Sequence, residues 1–170
     1  MGNRDVASVE RVLNGERVAP NRLMLACVLA WLMPGAGHWY LGKKARAAVF
    51  FSLVTLSFVL GSLLDGRFSV LDPRQPLLSA LQVVACLGSG PMDVVARAAI
   101  YGAPVYRMPE DDAVLPGEAA RRPRTAVGIA LRARNEAHDS AYGTAYLWTA
   151  GLMNLLLILD VFDIGVGRKN

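Results

Sequence analysis

The sequence has little of what catalysis and metal binding normally require. Its 170 residues include two histidines, His38 and His138, which are too far apart along the chain to share one helix face. The two cysteines, Cys27 and Cys86, lie inside apolar runs and form no CxxC motif. Motifs of the P-loop, GxGxxG, GxSxG and HExxH types are absent. We therefore expect no cofactor, no metal and no enzymatic activity. A membrane-embedded enzyme, with catalytic groups converging from separate helices, is the least favoured alternative.

Charged residues are also scarce, at 19% of the chain, whereas soluble proteins average about 25%. Nearly all of them lie between long apolar runs. The net charge is +4, and a basic protein can bind nucleic acid. Here the basic residues flank the apolar runs, which is typical of contact with anionic lipid. The sequence therefore predicts a lipid bilayer as a partner and no nucleic acid.

The apolar runs predict an all-α fold, an integral membrane helical bundle of about four segments. A membrane helix requires about 20 mostly apolar residues, and these runs lack the regular polar stripe of a soluble helix. Three segments fall within residues 23–106, at 23–41, 47–64 and 76–101, and the last membrane helix covers 140–164. The remaining stretches are polar: an N-terminal tail (1–22), a loop with a possible short surface helix (107–139) and a basic C-terminal tail (165–170).

Two of the segments contain helix-breaking residues. Pro34-Gly35 predicts a kink in the first segment, because proline lacks an N–H and clashes with the preceding turn. Gly88 to Pro91 interrupts the third segment. That segment is therefore either a kinked span from Leu77 to Tyr101 or a half-helix that turns back within the membrane.

Polar residues inside the segments are the candidate functional groups, and each has a structural alternative. Asn154 is expected to form an interhelical hydrogen bond that holds the bundle together or, less favoured, to bind a substrate or ion. Asp160 and Asp163 are expected to pair with Lys43, Lys44 or Arg168, or to bind a proton or cation. His38 suits an interfacial hydrogen bond better than metal or haem ligation. Asp93 and Arg97 lie four residues apart and are expected to pair, with a gate as the alternative.

Small residues within the segments allow close helix contact. Six positions are predicted to serve helix packing: Gly35, Gly37, Ser57, Gly61, Gly143 and Gly151.

Two stretches carry a resemblance to known families. Pro34-Gly35-Ala36-Gly37-His38-Trp39-Tyr40-Leu41-Gly42-Lys43 resembles the signature of the TM-two domain, a hairpin of two membrane helices joined by a short basic turn. Trp39 stands where phenylalanine is usual, and the aspartate of that family's second helix has no counterpart inside residues 47–64. The segment from Tyr142 to Lys169 is similar to the ending of an uncharacterised bacterial family of short multi-span membrane proteins, which implies a bacterial inner-membrane location but no activity.

Three functions from different classes follow as expectations. A non-enzymatic scaffold or accessory subunit of a larger membrane complex is favoured, with other membrane subunits or a second copy of the chain as partners. A small transporter or channel using Asn154 and Asp160 is the second, because broken helices often mark substrate sites. The membrane-embedded enzyme is the third.

Overall fold

The computed structural model describes residues 18–107 and 126–168, and their regular structure is helical. Within these ranges the helices are, in chain order, α1 (Pro20–Leu32), α2 (Ala36–Tyr40), α3 (Lys44–Leu63), α4 (Pro76–Leu87), α5 (Pro91–Tyr101), α6 (Ala126–Glu136) and α7 (Ser140–Gly165). The helical fold class predicted from the sequence is thus confirmed. By contacts, the described residues form two compact units, 18–52 with 154–168, and 53–107 with 126–153.

Two helices are each long and apolar enough to cross a membrane. α3 has 20 residues with a mean hydropathy of 1.8, and α7 has 26 residues with a mean hydropathy of 1.7. At 1.5 Å per residue these helices are about 30 and 39 Å long, which covers a hydrocarbon core of about 30 Å. The pair α4 and α5 passes the same test together, but it is bent by 106°. Two or three such elements are therefore present in the part of the chain that the structure describes.

The first apolar segment breaks where proline and glycine predict a kink. α1 ends at Leu32, and Gly35 adopts a left-handed conformation (φ 81°) before α2 begins. The chain then doubles back, because a Cβ atom on Gly37 would lie 2.5 Å from the carbonyl oxygen of Ala26. In one straight helix these two residues would be about 16 Å apart along the axis. The kink is confirmed, but the segment does not continue as the single span that the sequence predicts.

Both ends of this segment come together. Arg22 Nε lies 3.4 Å from the hydroxyl oxygen of Tyr40, and its guanidinium lies over the Tyr40 ring. Eighteen residues of continuous helix would separate them by about 27 Å, far beyond the reach of an arginine side chain. Residues 20–40 therefore form a hairpin, called the first hairpin below. Lys44 and α3 follow directly after its second arm.

The third apolar segment also reverses. Gly90 separates α4 from α5 with φ 66° and ψ −141°, a conformation that only glycine adopts easily, and Pro91 begins α5. The flanking chain closes on itself, since the Leu71 amide donates to the carbonyl of Tyr106 at 2.8 Å. Residues 76–101 are called the second hairpin below. The break predicted near Gly88 and Pro91 is confirmed as a bend of 106°, and the residues that flank the segment are hydrogen-bonded to each other.

Candidate functional site

A fully buried arginine organises the second hairpin. Arg97 lies on α5 one turn after Asp93, and both side chains are excluded from solvent. The Arg97 Nε donates to Asp93 Oδ2 at 2.8 Å, which is the pairing expected from their spacing. Its two terminal nitrogens donate to the backbone carbonyls of Val105 at 2.6 Å and Ser69 at 2.9 Å. The guanidinium therefore connects the chain before α4 to the chain after α5.

Aromatic rings enclose the same guanidinium. The Arg97 carbon Cζ lies 4.4 Å from the centroid of the Tyr106 ring and 5.4 Å from that of Phe68. The Tyr106 hydroxyl also donates to Asp93 Oδ2 at 3.1 Å. Burial, followed by the negative charge and hydrogen bond of Asp93, raises the pKa of Tyr106 to about 12. Tyr106 consequently remains a protonated donor at neutral pH.

This cluster (Ser69, Asp93, Arg97, Val105 and Tyr106) is arranged to hold the hairpin closed. A buried charge is tolerated only when it is paired and hydrogen-bonded. Arg97 meets that condition through one carboxylate, two carbonyls and two ring faces. The Oδ1 atom of Asp93 has no hydrogen-bond partner among the described residues. The other carboxylate oxygen, Oδ2, accepts hydrogen bonds from both Arg97 and Tyr106.

A second buried polar pair lies in the first hairpin. His38 is completely buried, and its Nε2 lies 3.0 Å from Asp160 Oδ2 on α7, whose side chain is 21% exposed. The imidazole packs against the Phe50 ring with a centroid distance of 5.1 Å. The break at Pro34-Gly35 places α2 so that His38 faces α7, and Gly37 beside it lies against Val161. The pair therefore connects α2 to the last helix.

The other sequence candidates are distributed between these helices. Asn154 is fully buried on α7. Asp163 lies 3.4 Å from Arg168 Nη1, one of the partners expected for it. Asp160 contacts His38, a partner that the sequence did not suggest, and its expected pairing with Lys43 or Lys44 stays a prediction.

Most of the predicted packing residues make close contacts inside the chain. A Cβ atom on Gly35 would lie 2.5 Å from the Ala47 carbonyl, and one on Gly61 would lie 2.8 Å from the Gly143 carbonyl. Gly151 lies directly against the carbonyl of Ala85. Ser57 is half-buried on α3. These glycines allow helices of the same chain to approach, and so they do not by themselves indicate a surface for another protein.

Sequence reasoning missed several residues of the cluster. Ser69, Val105 and Tyr106 lie in connecting chain outside the apolar segments, and two of them contribute through backbone carbonyls. Trp148 on α7 donates to the Ser69 hydroxyl at 3.0 Å and was also not among the candidates. The sequence offered one signal for this cluster, the aromatic residue Tyr106, which lies five positions after the end of α5.

These features define a class: a helical protein with apolar helices of membrane-crossing length and two reversing hairpins fixed by buried polar contacts. The model of a family of unknown function (DUF6677) matches residues 25–170, and the chain belongs to that family. No curated protein and no solved structure matches the chain. Membership is consistent with the uncharacterised family predicted from the C-terminal segment, and the TM-two resemblance stays a prediction. Within the described residues, no group of three or more His, Cys, Asp or Glu side chains is placed to hold a metal ion.

Proposed function

We propose that the protein is a non-enzymatic, multi-pass protein of the bacterial inner membrane that acts as an accessory or scaffold subunit of a larger membrane complex. The observation that supports this role is the use of Arg97. Its hydrogen bonds in the cluster join it to Asp93 and to the chain on either side of the second hairpin. A charge used in this way supports shape and rigidity rather than transport or chemistry.

The surface of the rigid hairpin supplies the second part of the argument. Its outer side chains are large and apolar, and Leu77, Leu81 and Val95 are between 66% and 82% exposed. Helices associate in membranes through close van der Waals packing, and a preorganised surface loses less entropy on binding than a mobile one. A hairpin held closed from within is therefore suited to packing against another membrane subunit.

Transport is the less favoured function. His38 and Asp160 form a buried pair beside a broken helix, which is the observation in its favour. However, among the described residues, neither Asn154 nor Asp160 lines any of three cavities, those beside Ser69, Trp39 and Met92. Unchanged ion or solute flux in liposomes carrying Asp160→Asn would exclude the version of this function that uses Asp160.

Site-specific photo-crosslinking in native membranes tests the subunit role. A photoreactive amino acid is placed at Leu81 on the second hairpin and, as a matched control, at Leu156 on α7, which is similarly exposed at 65%. We expect Leu81 to give one protein adduct of defined mass in near-stoichiometric yield, and Leu156 to give mainly lipid adducts. Lipid adducts alone at both positions would contradict the proposed role of this surface.

A further inference from the structure

An apolar cleft opens beside the break of the first hairpin. It has a volume of about 520 Å³, within the range of about 300–1,000 Å³ typical of ligand sites. α1 contributes Leu29, α2 contributes Trp39 and Tyr40, and α3 contributes Ala48 and Phe51. The cleft lies beside the turn at Pro34 and Gly35, and Gly35 and Ala47, which contact each other there, both line it.

Two cations lie on the aromatic residues that line this cleft. The Lys44 ammonium is 5.8 Å from the centroid of the Trp39 ring, and the Arg22 guanidinium is 5.8 Å from that of the Tyr40 ring. Tryptophan and tyrosine concentrate at the depth of lipid headgroups, where an apolar ring and a polar edge are both solvated. Two aromatic residues that line the apolar cleft therefore each have a cation over the ring.

Among the described residues, these two cations have no acidic partner. In the described part of the chain, no carboxylate lies within ion-pair distance of Arg22 or Lys44. The two acidic residues of α7 in the same unit are already engaged, Asp160 with His38 and Asp163 with Arg168. Within the described residues, the positive charge beside the cleft is therefore not neutralised by a carboxylate.

We propose that this cleft binds an anionic phospholipid, with one acyl chain along Leu29, Ala48 and Phe51 and the phosphate between Lys44 and Arg22. An amphiphile with an apolar tail and an anionic head matches both parts of the site. A helix from another protein could also fill the apolar cleft, but it would need acidic side chains placed to reach both Arg22 and Lys44. The inference does not depend on the proposed subunit role.

Native mass spectrometry of the detergent-purified full chain provides the test. Phosphatidylglycerol and phosphatidylcholine with identical acyl chains are titrated separately, and glycerol phosphate serves as the headgroup without a tail. We expect one phosphatidylglycerol to remain bound in preference to phosphatidylcholine, and glycerol phosphate to compete poorly, because a free phosphate lacks the apolar contacts. Equal retention of the two lipids, or displacement by glycerol phosphate, would overturn the proposal.

Variants separate the head and tail contributions. Arg22→Gln and Lys44→Gln should each weaken phosphatidylglycerol binding about fivefold, the effect of one cation near an anionic lipid. Ala48→Trp fills the cleft and should weaken binding with all charges intact. The matched controls are Arg107→Gln, an exposed arginine outside the cleft, and Leu56→Trp, an exposed position on the same helix. A loss in either control as large as in its counterpart would overturn the proposal.

A photoreactive acyl chain keeps the proposal testable even if Ala48→Trp does not fold. With the wild-type protein, phosphatidylglycerol carrying the label in its tail should react with residues between Leu29 and Ser52. Labelling spread evenly over the other exposed apolar helices, or retention of a protein partner or second copy in place of lipid, would show that the cleft has a different occupant.

Discussion

At the residue scale, each hairpin contains a buried polar side chain. The apolar surroundings strengthen the hydrogen bonds that this side chain makes. Arg97 and His38 are both fully buried, and each contacts a carboxylate. A hydrogen bond to a charged group is stronger in a medium of low dielectric constant, and an unpaired charge there is correspondingly costly. These residues therefore stabilise one arrangement of the chain and penalise alternatives in which their partners separate.

Removing Arg97 should be severely destabilising. The variant Arg97→Met leaves the Asp93 carboxylate buried without its cation and frees the carbonyls of Ser69 and Val105. Breaking a buried pair costs about 3–5 kcal/mol. Reversible unfolding in detergent micelles measures the change in free energy, with exposed Arg107→Gln as the control, expected within about 0.5 kcal/mol of wild type. A loss no larger than that of the control would show that the cluster does not hold the hairpin.

At this scale, the sequence predicts a contact between two side chains when they lie close together along the chain. Asp93 and Arg97 are one helical turn apart, and so their pairing follows from helix geometry. His38 and Asp160 are 122 positions apart, and nothing in the local pattern relates them. The contributions of Ser69 and Val105 come from backbone carbonyls, which every residue possesses, so residue type carries no information about them.

At the element scale, glycine and proline determine where each hairpin turns. Pro34 has no N–H to continue α1, and Gly35 and Gly90 adopt backbone conformations with positive φ that favour glycine. The positions of both breaks were therefore predictable from the sequence. The reversal itself was not, because it depends on contacts between distant positions, Ala26 with Gly37 and Leu71 with Tyr106.

Gly37→Ala tests the close approach within the first hairpin. The added methyl group would lie 2.5 Å from the Ala26 carbonyl and 2.8 Å from the Ala30 methyl, so the two arms would have to separate. We expect a loss of about 1–3 kcal/mol, the usual cost of overpacking. Ala36→Ser is the matched control, since it adds one atom at a half-buried position of the same helix.

Denaturant unfolding of the two variants provides the measurement. Their midpoints report the difference in stability if the unfolding free energy falls with denaturant at the same slope in both. Equal stability of the two variants would mean that the arms of the hairpin are not in contact at Gly37.

At the scale of the whole molecule, the apolar segments are of two kinds: helices long enough to cross a membrane, and hairpins made of shorter helices. Length and composition make α3 and α7 apolar enough to cross a membrane, and the α4–α5 pair passes the same test if it counts as one span. Composition does not distinguish a helix that crosses from a hairpin that returns, since both bury their surface in lipid. Helix length distinguishes the two in part. α1 has 13 residues and α4 has 12, which makes them about 20 and 18 Å long. Neither helix is long enough to cross a hydrocarbon core of about 30 Å by itself.

The central claim is that each hairpin returns to the side of the membrane from which it entered. Sided thiol labelling tests it directly, in a background in which Cys27 and Cys86 are replaced by alanine. Single cysteines are placed at Asn21, in the first turn of the first hairpin, and at Lys43, just after its end. Single cysteines at Arg74 and Ala103 flank the second hairpin. We predict that a membrane-impermeant reagent applied to oriented vesicles labels both members of a pair from the same side. Labelling of Asn21→Cys and Lys43→Cys from opposite sides, or of Arg74→Cys and Ala103→Cys from opposite sides, would show that the corresponding segment spans the membrane and would contradict the account.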